Sequence, residues 1–135
     1  MDAPLTGIRR LLIESNGLIA VAFRRSYIKE GICRPDSDNG NETDISDSWL
    51  TSPFSQIEPA MAFQIGLPIL ILREKGVLAD GVLEKGVLGS YMPEFDLNCD
   101  FNDYFNSNEW IQIIQKWEGY VRKVVDNKGQ PPQLY

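Results

Sequence analysis

Glu58 is the residue whose position points most directly to chemistry. In a helix that turns about 100° per residue, it falls inside the apolar stripe that would face the core. A carboxylate there is costly unless it is paired, and such groups collect at functional sites. Because Pro59 follows, we expect a kink at Glu58 or a helix that begins at Glu58–Pro59. The predicted stripe consists of Phe54, Ile57, Met61 and Ile65.

Composition limits the other chemistry that the chain could use. Its 135 residues include no histidine, which excludes histidine-based catalysis and most zinc sites. The two cysteines, Cys33 and Cys99, lack metal-ligand spacing and are typical of free thiols in a cytoplasmic protein. We therefore expect no cofactor and no metal, and chemistry based on carboxylates, hydroxyls, Lys, Arg or backbone.

Charge and hydropathy exclude two classes of partner. The net charge of −6 and the pI of about 4.6 argue against binding to a nucleic-acid backbone. The longest apolar run, Leu67–Leu72, falls far short of the roughly 20 residues that a membrane span needs. The first residues do not resemble a signal peptide, so we expect a cytoplasmic protein without nucleic-acid or membrane partners.

Hydrophobic patterning predicts one α/β domain over residues 1–129 and a flexible tail over 130–135. A helix over Leu5–Leu12 precedes an apolar strand at Leu18–Phe23, and a second apolar strand follows at Leu67–Leu72. Continuous apolarity without alternation is typical of parallel strands that are buried on both faces. The sequence therefore predicts a parallel sheet flanked by helices.

The segments around these strands have their own signals. Residues 24–51 are polar and predict a long loop, after which Ser52–Pro53 begins a helix that runs to about Gly66. A Gly-Val-Leu repeat at 76–88 predicts a glycine-punctuated loop, and Tyr91–Leu97 predicts a short edge strand. The last helix has an apolar face that should pack on the sheet. That face consists of Trp110, Ile113, Ile114, Trp117, Val121 and Val124.

One element of a doubly wound sheet is missing from this pattern. Such a sheet normally starts with a strand at its centre, whereas this chain starts with a helix. We therefore expect a domain that lacks the usual first strand and is incomplete at its N-terminus. Either the chain belongs to a larger protein with further domains, or a partner such as a second copy completes the sheet.

A longer pattern surrounds Glu58. Glu58-x-x-x-Ala62 lies on the predicted helix, and Gly66-x-Pro68 introduces the second strand. This stretch resembles the nucleoside 2-deoxyribosyltransferase-like superfamily and its TIR-domain relatives, over about residues 5–74. The full pattern is Ser48-Trp49-x-x-Ser52-Pro53-Phe54-x-Gln56-Ile57-Glu58-x-Ala60-Met61-Ala62-x-x-x-Gly66-x-Pro68.

The resemblance implies a flavodoxin-like (Rossmann-like) parallel sheet with helices on both faces. It also implies that Glu58 is a catalytic carboxylate for an N-glycosidic bond, in a nucleoside or in NAD, since a carboxylate stabilises the oxocarbenium-like centre. Ser52, Trp49 and Phe54 would line the pocket. Arg24 and Arg25, at the end of the first strand, either bind a phosphate or pair with Glu58.

Three hypotheses follow. The first is an N-glycosidic enzyme that acts on a nucleoside, nucleotide or NAD through Glu58. The second is a non-catalytic nucleotide-sensing module of a larger protein, and the third is an oligomerisation module. A purely structural alternative for Glu58 is an ion pair with Arg24, Arg25 or Arg73.

Overall fold

The structure is a computed structural model that describes residues 3–36, 42–89 and 92–127. It is a mixed α/β fold in which helices flank a parallel sheet. The helices of these ranges are α1 (Pro4–Glu14), α2 (Phe54–Gln64), α3 (Phe101–Phe105) and α4 (Asn108–Asp126), with a 3₁₀ turn at Gly81–Leu83. The strands are β1 (Leu18–Ala22), β2 (Ser26–Ile28), β3 (Ile32–Cys33), β4 (Thr43–Asp44), β5 (Ser48–Leu50), β6 (Ile69–Glu74) and β7 (Glu94–Phe95).

The central sheet has the strand order β1-β6-β7, and both pairings are parallel. Leu18 lies opposite Ile69, and Arg73 lies opposite Glu94. The predicted parallel pairing of the two apolar strands is thus confirmed. The short third strand confirms the edge strand predicted near Pro93, although Tyr91 lies outside the described residues.

The two apolar strands differ in burial. Ile69–Leu72 of β6 is buried throughout, because β6 is the central strand and has a layer on each face. In β1 only Ala20 and Ala22 are buried, whereas Ile19 is 46% exposed and Val21 is 38% exposed. The prediction that β1 is buried on both faces is therefore wrong. The face of β1 that carries Ala20 and Ala22 is covered by packing, whereas the face that carries Ile19 and Val21 is partly exposed.

Helix α2 packs on the sheet through small residues. Ala62 and Pro59 are buried, and α2 lies against β1, where Ala20 and Ala22 allow a close approach. The predicted stripe is confirmed in part, because Met61 and Ile65 pack against the buried core, whereas Phe54 is 40% exposed. Glu58 lies half-buried at the side of the packed face. The helix begins at Phe54 and continues through Pro59, which excludes a start at Glu58–Pro59.

Helix α4 presents the predicted apolar face. The Ser107 hydroxyl oxygen accepts a hydrogen bond from the Trp110 N–H at 3.3 Å and caps the helix. Trp117 donates from Nε1 to the Pro68 carbonyl at 3.4 Å. A Cβ on Gly17 would lie 2.7 Å from Val121, so glycine permits this close packing. All six residues of the apolar face are only half-buried, and α4 contacts Gly17 and Pro68, the residues just before β1 and β6.

The described residues of the 24–51 segment, 24–36 and 42–51, do not form the irregular loop that their polarity predicts. Strands β2 and β5 pair antiparallel, with Tyr27 opposite Trp49, and β3 pairs with β4. The Trp49 N–H donates to the Gly76 carbonyl at 2.9 Å, and the Leu78 N–H donates to the Trp49 carbonyl at 2.8 Å. This ribbon is therefore tied to the segment that follows β6.

The predicted loop at 76–88 contains turns, the 3₁₀ helix and an isolated bridge from Val77 to Trp49. The predicted tail at 130–135 lies outside the described residues. Among the helices of the described ranges, none combines the length and apolar character required to cross a bilayer.

Candidate functional site

The carboxyl ends of β1 and β6 bring Arg24 and Glu74 together. Arg24 follows β1 by two residues, and Glu74 is the last residue of β6. Parallel strands end at the same edge of their sheet, which is where open α/β sheets bind ligands. The β2–β5 ribbon returns to this edge and adds Trp49. We call the cluster of Arg24, Glu74 and Trp49 the strand-end cluster.

Glu74 is the buried member of the strand-end cluster. It is only 5% exposed, and its Oε1 accepts the backbone N–H of Arg24 at 2.8 Å. Its Oε2 lies 3.6 Å from Nε of Arg24. A buried carboxylate needs such partners to offset its lost hydration. Glu74 therefore fixes both the backbone and the side chain of Arg24.

The Arg24 side chain is held in one direction by its other neighbours. Its Nε donates to the Lys75 carbonyl at 2.7 Å, and its guanidinium carbon lies 5.6 Å from the centre of the Trp49 ring. A cation over an indole face at this distance is attracted to the ring. Gly76 has a φ of +93°, and a Cβ there would lie 2.9 Å from Arg24 Nη2. Glycine is therefore required at position 76 for two separate reasons.

Tyr27 extends the aromatic surface of the site. Its ring lies 5.1 Å from that of Trp49, and its hydroxyl donates to the Asp47 carboxylate. This hydrogen bond raises the pKa of Tyr27, because the ionised phenolate could not donate it. Half of the Tyr27 side chain is exposed. Trp49 and Tyr27 together offer a partly exposed ring surface beside a fixed cation.

Two further cations lie at the same sheet edge. The Arg25 N–H donates to the Leu50 carbonyl at 2.8 Å, and the Lys75 N–H donates to the Phe95 carbonyl at 2.7 Å. Their backbones are thus fixed, whereas their charged groups form no ion pair with any described residue. Because Arg24 neutralises Glu74, the charges of Arg25 and Lys75 remain available for an anion.

The start of α2 contributes Ser52 and Phe54. The Ser52 hydroxyl oxygen accepts the Phe54 N–H at 3.3 Å, one residue before the N-cap position, which Pro53 occupies. Gln56 ties this first turn to the 3₁₀ segment, because its Nε2 donates to the Asp80 carbonyl at 2.8 Å. Its Oε1 accepts the Val82 N–H at 2.9 Å. The position of the helix start is therefore fixed by hydrogen bonds.

Glu58 does not join the strand-end cluster through any contact between described residues. Its expected structural partners are engaged elsewhere, since Arg24 pairs with Glu74 and Arg73 pairs with Glu94 at 3.2 Å. Pairing with Arg24 or Arg73 is therefore wrong as an explanation of Glu58. The half-buried carboxylate forms no ion pair or hydrogen bond in the described part of the chain.

Four residues of the site were not identified from the sequence, namely Tyr27, Glu74, Lys75 and Gly76. A signal for Glu74 existed, because each apolar strand is followed by a charged residue and parallel strands end side by side. Tyr27 and Gly76 gave no comparable signal, since their roles depend on the ribbon. No group of three His, Cys, Asp or Glu suited to a metal occurs among the described residues.

Comparison with known proteins adds no relative. No protein-family model, no curated protein and no solved structure matches this chain.

Proposed function

We propose that the chain is a nucleotide- or nucleoside-binding domain with a flavodoxin-like fold. The observation that carries this proposal is the strand-end cluster, in which buried Glu74 fixes Arg24 against the Trp49 ring. The cluster lies at the carboxyl edge of parallel strands, the usual ligand site of open α/β sheets. A site with exposed rings and unneutralised cations suits a ligand that is both aromatic and anionic.

The parts of a nucleotide match separate parts of this surface. A nucleobase presents a flat π-face, which stacks on aromatic side chains such as Trp49 or Tyr27. Phosphate oxygens accept charge-assisted hydrogen bonds from guanidinium or ammonium groups, which Arg25 and Lys75 supply. The N-terminus of α2, near Ser52 and Phe54, adds the positive end of the helix dipole, which favours an anion, while its first N–H groups bond within the chain.

Cleavage of an N-glycosidic bond is the second candidate function. It is favoured by Glu58, a half-buried carboxylate without an ion pair or hydrogen bond among the described residues. Such a group is free to stabilise an oxocarbenium-like centre as the base departs. Release of nicotinamide or nucleobase by the chain and by Glu58→Gln tests it. Equal release from both proteins excludes Glu58 as the catalytic carboxylate.

Calorimetric titration with AMP, ATP, NAD and deoxyadenosine tests binding itself. We expect Trp49→Leu to weaken binding about tenfold, the usual effect of one lost stacking contact. Arg25→Ala should weaken the binding of the phosphorylated ligands about tenfold and leave the binding of deoxyadenosine unchanged. The matched controls are Trp110→Leu in α4 and Arg9→Ala in α1. Failure of every ligand to bind, or equal losses in the controls, contradicts the proposal.

A further inference from the structure

Strand β1 has one unpaired edge. The Leu18 N–H donates to the Pro68 carbonyl and the Arg24 N–H donates to Glu74, so the even-numbered residues direct their amides towards β6. Alternate residues of a strand direct their backbone groups to opposite edges. The amides and carbonyls of Ile19, Val21 and Phe23 therefore face the other edge. No described strand pairs there.

Within the described ranges, this edge has neither the charges nor the prolines that usually protect an edge strand. Exposed edges of natural sheets are blunted by charges, prolines or bulges, which prevent pairing with another chain. The segment Leu18–Phe23 contains no charge and no proline. The side chains of its odd-numbered residues are exposed, at 46% for Ile19, 38% for Val21 and 51% for Phe23. An apolar edge of this kind is suited to pairing with another strand.

We propose that the occupant is a second copy of this chain, paired antiparallel along β1 about a two-fold axis at Ala20. The two three-stranded sheets then form one continuous six-stranded sheet. The proposal does not rest on the nucleotide site, because the free edge lies along β1 and the strand-end cluster lies beyond its carboxyl end, and Arg25 is the one residue that both proposals use.

The backbone pattern allows this register, and the small side chain of Ala20 favours it. With the axis at Ala20, Ile19 lies opposite Val21 of the partner subunit, and the two residues exchange both backbone hydrogen bonds. The symmetry repeats this pair, and Gly17 likewise lies opposite Phe23 of the partner subunit. Ala20 faces Ala20 of the partner subunit in a non-hydrogen-bonded position, where Cα atoms approach to about 4.5 Å. Alanine has the least bulk to resist that approach.

Charge and symmetry agree with the same arrangement. Glu14 is the charged residue nearest the start of β1, with Arg9 and Arg10 further back in α1, and Arg25 follows its end without an ion pair among the described residues. Antiparallel pairing brings the Arg25 end of one β1 beside the Glu14 end of the other, so these unlike charges are neighbours. A two-fold interface is also closed, so pairing stops at a dimer.

Disulfide trapping tests the register. In a Cys33→Ser/Cys99→Ser background, Ala20→Cys should give a covalent dimer with oxidised glutathione, which accepts the two hydrogens of the thiols. Ile19→Cys is the matched control, because its Cα atoms would lie beyond the roughly 7 Å that a disulfide can bridge. Covalent dimer from Ala20→Cys alone supports the proposal. No dimer from Ala20→Cys, or equal amounts from both, overturns it.

A pair of double variants tests the dimer without a crosslink. Ile19→Lys/Val21→Lys places like charges opposite each other, whereas Ile19→Lys/Val21→Glu places unlike charges opposite each other. Sedimentation at micromolar concentration should find dimer for the native chain and the second variant. The first should dissociate at least about tenfold more readily. A monomeric native chain, or identical dissociation of the two variants, overturns the proposal, and far-UV circular dichroism checks that both variants fold.

Discussion

Replacement of Glu74 by glutamine tests the buried ion pair on which the strand-end cluster depends. The Arg24 N–H lies 2.8 Å from Glu74 Oε1 in the native chain. Glutamine retains an oxygen that can accept this N–H but removes the negative charge. Breaking a fully buried pair by removing one charge costs about 3–5 kcal/mol. The Glu74 side chain is only 7% exposed, but that of Arg24 is 32% exposed, so water compensates part of the loss. We expect Glu74→Gln to lower the free energy of unfolding by about 2 kcal/mol.

Glu94→Gln is the matched control for this measurement. Glu94 pairs with Arg73 at 3.2 Å at the same end of the sheet, but its side chain is 49% exposed. Exposed pairs contribute about 0–1 kcal/mol, so this variant should lose about 0.5 kcal/mol. Urea unfolding of both variants, followed by circular dichroism, gives the two free energies. Equal losses would refute the conclusion that Glu74 is the buried carboxylate that fixes Arg24.

Three further predictions concern other parts of the structure. Gly76→Ala should destabilise the fold by about 1 kcal/mol more than Gly86→Ala, since both have positive φ but only position 76 crowds Arg24; urea unfolding measures the difference. Ser107→Ala should cost about 1 kcal/mol in thermal unfolding because α4 loses its cap, and an unchanged stability would contradict this. Asp47→Ala should lower the pKa of Tyr27 towards 10.0 in an absorbance titration compared with Tyr27→Phe, and an unchanged pKa would contradict the assigned cause. The Tyr27–Asp47 hydrogen bond stabilises the folded state at any pH below the pKa that Tyr27 has in the unfolded chain. This stabilisation is lost as the pH rises through the raised pKa that Tyr27 has in the folded chain.

The parallel pairing of β1 and β6 could be predicted from sequence because both strands are uninterrupted apolar runs. The exposure of Ile19 and Val21 could not. A strand buried on both faces and an unpaired edge strand can have the same apolar pattern. Only the order of the strands in the sheet distinguishes the two.

The buried face of α2 is predicted only in part, for a different reason. A helical wheel assigns large apolar residues such as Phe54 to the core, whereas close packing on Ala20 and Ala22 favours small residues. The helix therefore turns Ala62 and Pro59 inwards. Which residues the opposing strand presents is a tertiary fact that the helix sequence does not contain.

The candidate site was partly predictable. Arg24 and Trp49 were both expected to contact a ligand, and the structure brings them to 5.6 Å. Their meeting depends on the β2–β5 ribbon, which was predicted as a loop because its polar residues obscure two short pairings. The buried partner, Glu74, depends on the register of β1 against β6, and this register follows from three-dimensional packing.

The most direct test of the central claim is a titration of the isotope-labelled chain with ATP, followed by amide chemical shifts in NMR. The proposed site predicts saturable shifts that concentrate at Arg24, Arg25, Trp49 and Lys75, with the Trp49 indole signal among the largest. Signals of α4, such as that of Trp117, should move little. An absence of shifts, or saturable shifts that concentrate away from the carboxyl edge of β1 and β6, would contradict a nucleotide site there.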